Sequence, residues 1–472
     1  MMEISKKKMG AFSMIMASSA LLFACSGSGS TGGVEDSEVD EDGVTHISLS
    51  TWGIPAELKV MEELVTNFEE ENPDINVNLL HIPDDYTGKM NTMLAGGTAP
   101  DVVFASDGDF GGWARAGLFL DIQEMAEEST IDLDDMWDTA LDRYRWDGSR
   151  RGQGNLHALP KDIGPSAIYY NKDLFDEAGV EYPDPVEPMT WDELLETAKA
   201  LTDAEKDQFG LGPIWWEGFV WSNGGEFLSE DLTEFILHEE EGVEALQFVA
   251  DLTNVHKVAP NSHQLDAMDA DQMFETGRIA MNMAGRWMVP DYREMNFDWD
   301  VAPMPQGPTG ISTNWSGSVG YAINEKTNFP EASFKLVEYL AGERGQEIQT
   351  ELGFAIPTYE SLAETDVFLQ PDQKPANAEA FIIGAKTQRP GPWNITPNNR
   401  WLDELNQNLG DVMNGERSAE EVLNEIQPAV QEFLEAGNPE IFGEEVTEED
   451  LELHIDEDIE LDDELKELEE RE

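Results

Sequence analysis

The sequence has little cysteine, little histidine and few basic residues. One cysteine among 472 residues excludes an intrachain disulfide and a cysteine-rich metal site. The seven histidines form no HExxH motif, and the chain has neither a P-loop nor a GxSxG motif, so we predict no metal, no cofactor and no such enzyme. The 28 Lys and Arg residues stand against 98 Asp and Glu residues, a formal net charge of −70. A charge of that sign disfavours nucleic acid and anionic lipid surfaces, because both are bound through cationic side chains.

Long hydrophobic runs are also missing. The longest, residues 9–23, is shorter than the roughly 20 residues of a transmembrane helix, follows three lysines and ends just before Cys25. This layout is typical of a secretory signal peptide, and residues 22–25 resemble the bacterial lipobox, in which the cysteine is lipidated. We therefore predict a lipoprotein signal peptide at 1–24 and an extracytoplasmic mature chain, in the periplasm or on the outer face of the cytoplasmic membrane. Only the lipid on Cys25 would touch the membrane. The alternative is an ordinary signal peptide that ends near a cysteine.

Two segments look like appendages rather than parts of a core. Residues 25–45 are rich in Ser and Gly and then acidic, which predicts a flexible acidic linker. Residues 443–472 are dominated by Asp and Glu, which predicts a solvated acidic tail. Most of the acidic excess nevertheless lies between them, a distribution that we interpret as halophile-like adaptation to a salty exterior.

The body of the chain shows an α/β pattern. Alternating or continuous apolar residues predict strands at 47–52, 75–79 and 102–105, and helical spacing predicts helices at 58–68 and 86–94 between them. Such strand–helix–strand units form parallel sheets, whose ligands lie beyond the carboxyl ends of the strands. Trp52, Asp107 and Asp109 are therefore expected to face one cleft. A helix-rich region follows, and a Pro/Gly cluster at 303–310 predicts a crossing between two lobes.

Short segments along the body follow one another in a characteristic order. They lie at 93–103 (MLAGGTAPDVV), 158–160, 168–175, 178–179, 190–194, 224–225, 274–281, 285–287, 301–305 and 353–357. In this order they resemble the family 1 extracellular solute-binding proteins, the maltose-binding-like receptors of ABC importers, over about residues 46–437. The resemblance implies a two-lobed periplasmic-binding-protein-like fold of type II, each lobe a mainly parallel sheet flanked by helices. The expected lobes are 46–161 plus 306–355 and 162–305 plus 356–442, with the ligand cleft at the hinge.

The resemblance also implies a function. Such a protein captures a sugar, either a mono- or an oligosaccharide, between its lobes and delivers it to the transmembrane permease of an ABC importer. It needs donors, acceptors and apolar faces, but no activated nucleophile and no cofactor. We expect a monomer that is not an enzyme.

Candidate site residues follow from the chemistry of sugars, which offer apolar C–H faces to indoles and hydroxyls to charged groups. The aromatic candidates are Trp52, Trp215, Trp216, Trp221, Trp287, Trp315, Trp393 and Trp401, and the polar ones are Glu57, Asp107, Asp109, Asp162, Arg286 and Arg400. The resemblance favours Trp287, Trp401 and one of the pair Trp215–Trp216, whose other member is expected to pack. Trp221, Trp315 and Trp393 fit site and core equally well, whereas Trp113, Trp137, Trp146 and Trp191 are expected to pack.

The ligand itself stays open at this point. Ala105 stands where the maltose receptor of the family has a tryptophan. The sugar that the maltose receptor binds therefore cannot be assigned to this chain. The same fold could take a polyol, a peptide or a polyamine. An extracellular glycoside hydrolase would also use tryptophans and paired carboxylates, but acidic pairs are so common here that their spacing supports nothing.

Overall fold

The computed structural model describes residues 39–40, 43–353, 356–447 and 449–451. The predicted signal peptide, Cys25, most of the linker and most of the acidic tail lie outside these residues. Within the described part of the chain, no helix is both long and apolar enough to cross a membrane.

Helices and short strands alternate along the described residues. The strands are β1 Thr45–Thr51, β2 Ile75–His81, β3 Val102–Ser106, β4 Arg145–Trp146, β5 Asn155–Leu156, β6 Ala158–Pro160, β7 Gly164–Asn171, β8 Met281–Gly285, β9 Trp299–Ala302, β10 Trp315–Gly317, β11 Val319–Ile323 and β12 Arg389–Pro390. The α-helices are α1 Pro55–Glu71, α2 Tyr86–Gly96, α3 Asp107–Arg115, α4 Gln123–Glu128, α5 Asp138–Leu141, α6 Lys172–Ala178, α7 Trp191–Leu201, α8 Glu217–Ser222, α9 Glu240–Asn254, α10 Ser262–Ala267, α11 Ala270–Glu275, α12 Val289–Arg293, α13 Pro330–Ala341, α14 Glu343–Glu351, α15 Glu360–Ala363, α16 Asp366–Leu369, α17 Glu379–Thr387, α18 Arg400–Asn408, α19 Gly410–Met413 and α20 Ala419–Gly437. Short 3-10 helices lie at Leu133–Asp135, Asp142–Tyr144, Arg286–Met288, Pro392–Asn394, Pro439–Phe442 and Glu449–Leu451.

The first sheet has the strand order β2-β1-β3-β11-β6. β1 pairs in parallel with β2 and β3, while β11 runs antiparallel to both β3 and β6, so β11 alone opposes the other four strands. The predicted order of strand, helix, strand, helix and strand is confirmed in β1 to β3. The carboxyl ends of β1 and β3 consequently meet at one edge of this sheet.

The second sheet is built around β7. This strand pairs with β8 on one edge and with β9 and β10 on the other, always antiparallel, and β12 extends the sheet in parallel with β10. This pairing differs from the expected mainly parallel sheet, because three of the four ladders are antiparallel, although β8, β9, β10 and β12 all run in the same direction. The reason is that β7 enters the sheet from the first lobe, whereas β8 and β10 run back toward that lobe.

Alternation along β7 builds hydrophobic cores on both faces of the second sheet. Ile168 and Tyr170 contribute to one cluster of buried side chains, while Ala167 and Tyr169 contribute to the other. Successive side chains of a strand point to opposite faces, so an apolar run of this kind marks a strand covered on both sides. A separate cluster forms the core around the first sheet. The chain thus forms two lobes, each with its own core.

Three connections join the two lobes. The first lies between β6 and β7, and the second between Gly317 and Val319, because β10 is in the second sheet and β11 in the first. The Pro/Gly cluster at 303–310 was expected to mark this return, but it forms a turn in which the Gly307 N–H donates to the Ile311 carbonyl. The third connection lies between α14, which packs on α13 of the first lobe, and Ile356, which belongs to the second-lobe core and bridges Ile163 on the first connection. All three lie side by side, as a hinge requires.

Candidate functional site

A cavity of about 330 Å³ opens between the lobes beside the three connections. Its volume falls in the range of small-molecule sites. Six of the predicted site residues line it: Trp52, Glu57, Asp107, Asp162, Arg286 and Trp287. These residues come from the ends of strands in both sheets, from the first turn of α1 and from the first connection, so the cavity exists only because the two lobes face each other.

The first-lobe wall of the cavity is formed where β1 ends. Trp52 lies edge-on to Tyr86 and Phe104, with ring centroids 4.6 and 5.3 Å away. Gly53 follows at φ +111°, and a Cβ at this position would lie 2.3 Å from Glu57 Oε2. A glycine is therefore required for the turn that brings Glu57, in the first turn of α1, toward the cavity.

Asp107 begins α3 directly after β3 and is only 4% exposed. Its Oδ2 accepts a hydrogen bond from Arg143 Nη1 at 2.6 Å, and its Oδ1 accepts one from Trp393 Nε1 at 3.0 Å. Arg143 also donates to the hydroxyl of Ser316 on β10, at 2.7 Å. This carboxylate thus joins first-lobe and second-lobe groups at the edge of the cavity.

Asp162 lies on the first connection and ties it to the second. Its Oδ2 is 2.6 Å from Lys161 Nζ, and its Oδ1 accepts from the Val319 N–H at 3.1 Å. Burial alone would lower the pKa of Lys161, but the Asp162 and Glu57 carboxylates outweigh burial and raise it. The ammonium is therefore held charged beside the cavity.

The second-lobe wall is formed where β8 ends. Trp287 packs over Gly164, where a Cβ would lie 3.0 Å from Trp287 Cζ3. Its neighbour Arg286 is 1% exposed, donates from Nη2 to the Phe368 carbonyl at 3.1 Å and lies over the Phe368 ring at 4.5 Å. Burial lowers the pKa of Arg286 to about 10. Trp287 and Arg286 both line the cavity, and Nη2 of the guanidinium is bonded to the second lobe, whereas its Nε and Nη1 are buried without a hydrogen-bond partner among the described residues.

Four partly exposed tryptophans form a continuous row. Trp287 and Trp215 are nearly parallel with centroids 6.3 Å apart, and Trp215 stacks on Trp315 at 4.4 Å. Trp315 meets Trp393 edge-on at 4.9 Å, and Trp393 reaches Asp107 through its indole N–H. An aromatic surface therefore runs from the cavity to the carboxylate that links the lobes.

The family model described as "Bacterial extracellular solute-binding protein" matches residues 53–347. The chain belongs to this family. Solute-binding proteins of this family act outside the cytoplasm. The cavity lies between the lobes, where the resemblance implied the ligand cleft.

Curated relatives are similar over most of the chain. A maltodextrin-binding protein of Bacillus subtilis is 25% identical over 388 residues, which is 79% of this chain and 87% of the relative. A multiple sugar-binding protein of Streptococcus mutans is 24% identical over 366 residues, 72% of this chain and 80% of the relative.

Solved structures show the same fold. An ABC substrate-binding protein of Listeria monocytogenes in complex with cycloalternan is 26% identical with a TM-score of 0.74, over 85% of this chain and 99% of that one. A maltose-bound protein of T. maritima, 22% identical with a TM-score of 0.69, covers 82% of this chain and 99% of its own. The two-lobed α/β fold expected from the sequence is confirmed.

Several predicted site residues of this solute-binding protein lie away from the cavity. Trp401 is fully buried in the second lobe, where its N–H donates to Thr396 Oγ1 at 2.7 Å. Arg400, one residue earlier at the start of α18, is exposed. Because α18 packs one face on the core, it places Trp401 inside and Arg400 outside, and neither side chain contacts the cavity.

Three further candidates, Trp221, Trp216 and Asp109, contact neighbouring side chains and do not line the cavity. Trp221 is 4% exposed and lies under the Arg389 guanidinium at 4.7 Å. Trp216 packs against Phe227 in an outer groove of the second lobe, whereas its neighbour Trp215 joins the tryptophan row. Asp109 accepts from Ser106 and Thr87, and burial raises the pKa of its carboxyl. Of the adjacent pair, then, one indole faces the row and the other packs.

The four tryptophans expected to pack are all buried. Trp113, Trp137, Trp146 and Trp191 are no more than 9% exposed. Trp113, Trp137 and Trp191 lie on helices or at a helix cap, the positions from which packing was predicted, whereas Trp146 lies on the strand β4 and not on the helix expected for it.

Three arginines that the sequence analysis did not select contribute contacts between the two lobes. Arg151 donates from Nη2 to Asn394 Oδ1 at 2.6 Å, and Arg115 pairs with Glu440 at 2.8 Å, with both side chains nearly buried. Together with Arg143 they come from one stretch, residues 115–151. Arginine is rare in so acidic a chain, and its concentration there is the signal that could have identified them.

Proposed function

We propose that this solute-binding protein captures a neutral mono- or oligosaccharide between its lobes and delivers it to the permease of an ABC importer. The observation that carries the proposal is the tryptophan row leading into a cavity lined by both carboxylates and cations. Sugars match this combination, because indoles cover their C–H faces while charged groups bond their hydroxyls. The sugar-binding relatives support the same ligand class.

Within the cavity we assign roles from position. Trp287 would stack on a sugar ring from the second lobe, and Trp52 would face it from the first. Glu57, Asp162 and Lys161 would bond hydroxyls near the hinge. Trp215, Trp315 and Trp393 would extend the aromatic surface beyond the cavity, which suits a ligand longer than one ring.

Binding without chemical change is part of the proposal. Asp107 is engaged by Arg143 and Trp393, and Asp162 by Lys161 and the Val319 N–H. Carboxylates held in this way suit the task of accepting hydrogen bonds, whereas a hydrolase needs one free to protonate the leaving group. A mature chain anchored through lipid on Cys25 and working as a monomer completes the proposal.

The test is calorimetric titration of the chain from residue 46 onward with maltotriose, raffinose, an arabino-oligosaccharide, mannitol, spermidine and a tripeptide. We expect saturable binding of at least one sugar and recovery of that sugar unchanged. Binding of only the polyol, the polyamine or the peptide would replace the ligand class. Release of shorter sugars would contradict the proposal in favour of a hydrolase.

A further inference from the structure

Arg286 is a buried cation in the cavity wall, and most of its hydrogen-bond donors are open. Its Nη2 donates to the Phe368 carbonyl at 3.1 Å, whereas Nε and Nη1 are buried without a partner among the described residues. Buried donors and buried charges are costly unless they are bonded, so an arginine in this state needs a reason. Because Arg286 lines the cavity, a ligand that fills the cavity can supply the missing acceptors.

The surroundings of Arg286 hold its guanidinium in place before any ligand arrives. The centroid of the Phe368 ring lies 4.5 Å from Arg286 Cζ and that of the Phe381 ring lies 5.6 Å away, both within the range of cation–π attraction. Together with the bond to the Phe368 carbonyl, these rings restrain a side chain that is otherwise flexible. A donor that is already ordered loses little conformational entropy when it binds.

The charged side chains at the cavity indicate which acceptors fit Arg286. The Asp107 and Asp162 carboxylates are each paired with a cation at 2.6 Å. Glu57 and Arg286, which remain among the charged lining residues, carry opposite charges. An anionic ligand would add a buried charge that this balance does not offset, whereas the hydroxyl oxygens of a neutral ligand accept hydrogen bonds without disturbing it.

Arg286 is also placed to act together with Trp287. The two residues begin the same 3-10 helix, Arg286–Met288, which follows directly after β8, and both line the cavity. A sugar ring has apolar C–H faces and carries its hydroxyls around its edge. The indole suits a face of the ring, and a planar guanidinium beside it suits the edge.

We propose that Arg286 donates from Nε and Nη1 to hydroxyl oxygens of the sugar ring that stacks on Trp287, and that this contact determines which hydroxyl pattern the cavity accepts. The inference rests on the proposed function and names a specificity-determining residue within it. Specificity follows because a ring that lacks the contacted hydroxyl leaves a buried donor unpaired.

The experiment combines changes in the protein with changes in the ligand. Calorimetric titration measures the affinity of wild type and Arg286→Met for the panel sugar that binds most tightly and for its monodeoxy derivatives. In wild type, removal of a hydroxyl that Arg286 contacts should weaken binding about tenfold or more, because a charge-assisted hydrogen bond is lost. In Arg286→Met the parent sugar should bind about tenfold or more weakly, and the same deoxygenation should then cost less than about threefold.

Two further variants serve as controls. Arg286→Lys keeps the buried charge without the planar set of donors, so it should fold like wild type and lose most of the deoxygenation penalty. Arg293→Met removes a nearby arginine on α12 that donates to the Lys374 carbonyl at 2.7 Å and to Gln370 Oε1 at 2.6 Å, outside the cavity. It should keep both the affinity and the penalty of wild type. Circular dichroism verifies the fold of each variant.

The outcomes separate this contact from the proposed function. Equal penalties in wild type and the Arg286 variants would show that Arg286 acts only through the structure, which would overturn the contact and leave sugar capture intact. A wild type that tolerates every deoxygenation would overturn it too; a water bound to the open donors would give this result. Tighter binding of digalacturonate than of any neutral sugar would overturn both the contact and the neutral ligand. If no sugar binds, the proposed function fails, and the contact fails with it.

Discussion

At the residue scale, Trp287 is the side chain on which the proposed site depends most directly. It lines the cavity and lies in van der Waals contact with Gly164 at the hinge, so it joins ligand and connection. We expect Trp287→Ala to weaken sugar binding by more than tenfold, about 1.4 kcal/mol or more, because an indole stacking face is lost. Titration measures the affinity, and an unchanged circular dichroism spectrum verifies the fold. Unaltered affinity would contradict the assignment.

Trp401 gives the opposite prediction. Its indole is fully buried and hydrogen-bonded in the second-lobe core, away from the cavity. Trp401→Ala should cost about 3–5 kcal/mol of unfolding free energy, because it leaves a large cavity and removes the indole N–H that donates to the Thr396 hydroxyl. The remaining folded protein should bind sugar with wild-type affinity. Chemical denaturation and titration check the two parts separately, and weakened binding by the folded fraction would return Trp401 to the site.

At the element scale, the contact between α3 and β10 depends on Arg143. The Arg143 side chain is fully buried and pairs with Asp107 at the start of α3 while bonding Ser316 on β10. Arg143→Met should lower the unfolding free energy by about 3–5 kcal/mol, because it leaves a buried carboxylate without its cation. Denaturant unfolding measures the loss.

A double-mutant cycle separates charge from packing at this contact. Asp107→Asn combined with Arg143→Met removes the uncompensated charge, so the double variant should recover part of the stability that Arg143→Met loses. Additive losses would show that the arginine acts independently of the Asp107 charge, through its packing and its bond to Ser316. Arg145→Met, which removes a more exposed arginine nearby, is the control and should change stability by less than about 1 kcal/mol.

At the scale of the whole molecule, the net negative charge is expected to make stability depend on the salt concentration. Most of the formal net charge of −70 lies on the body of the chain, where it produces strong self-repulsion at low ionic strength. Raising the salt concentration to about 1 M shortens the Debye length to about 3 Å and should raise the melting temperature substantially. A melting temperature that does not change between low and high potassium chloride would contradict this prediction. Sucrose at matched osmolality is the control, because it is excluded from the protein surface but does not screen charge. It therefore separates stabilisation by charge screening from stabilisation by exclusion of the solute.

The fold could be predicted well, because it depends on local patterns. The strand–helix order of β1 to β3 follows from hydrophobic periodicity, and the ordered segments resembling the family gave the two lobes. The second crossing was misplaced at the Pro/Gly cluster. Proline and glycine mark a turn, but whether a turn joins two lobes depends on which sheet the next strand enters, as β10 shows.

The site could be predicted in part. Sequence reasoning placed Trp52 and Asp107 at the ends of strands, which converge in this fold, and the family resemblance supplied Trp287. It could not separate Trp215 from Trp216, or Arg400 from Trp401, because adjacent residues differ only in the direction in which the backbone points them. Arg143 escaped notice because its partners, Asp107 and Ser316, come from distant segments.

The sequence by itself determined the α/β class, the family and the surface charge, since periodicity, segment order and composition are properties of the chain. Only the tertiary structure decided which tryptophans form a row, which carboxylates are paired and where the chain crosses between the lobes. Those outcomes depend on side chains more than a hundred residues apart, such as Asp107 and Trp393, meeting in space.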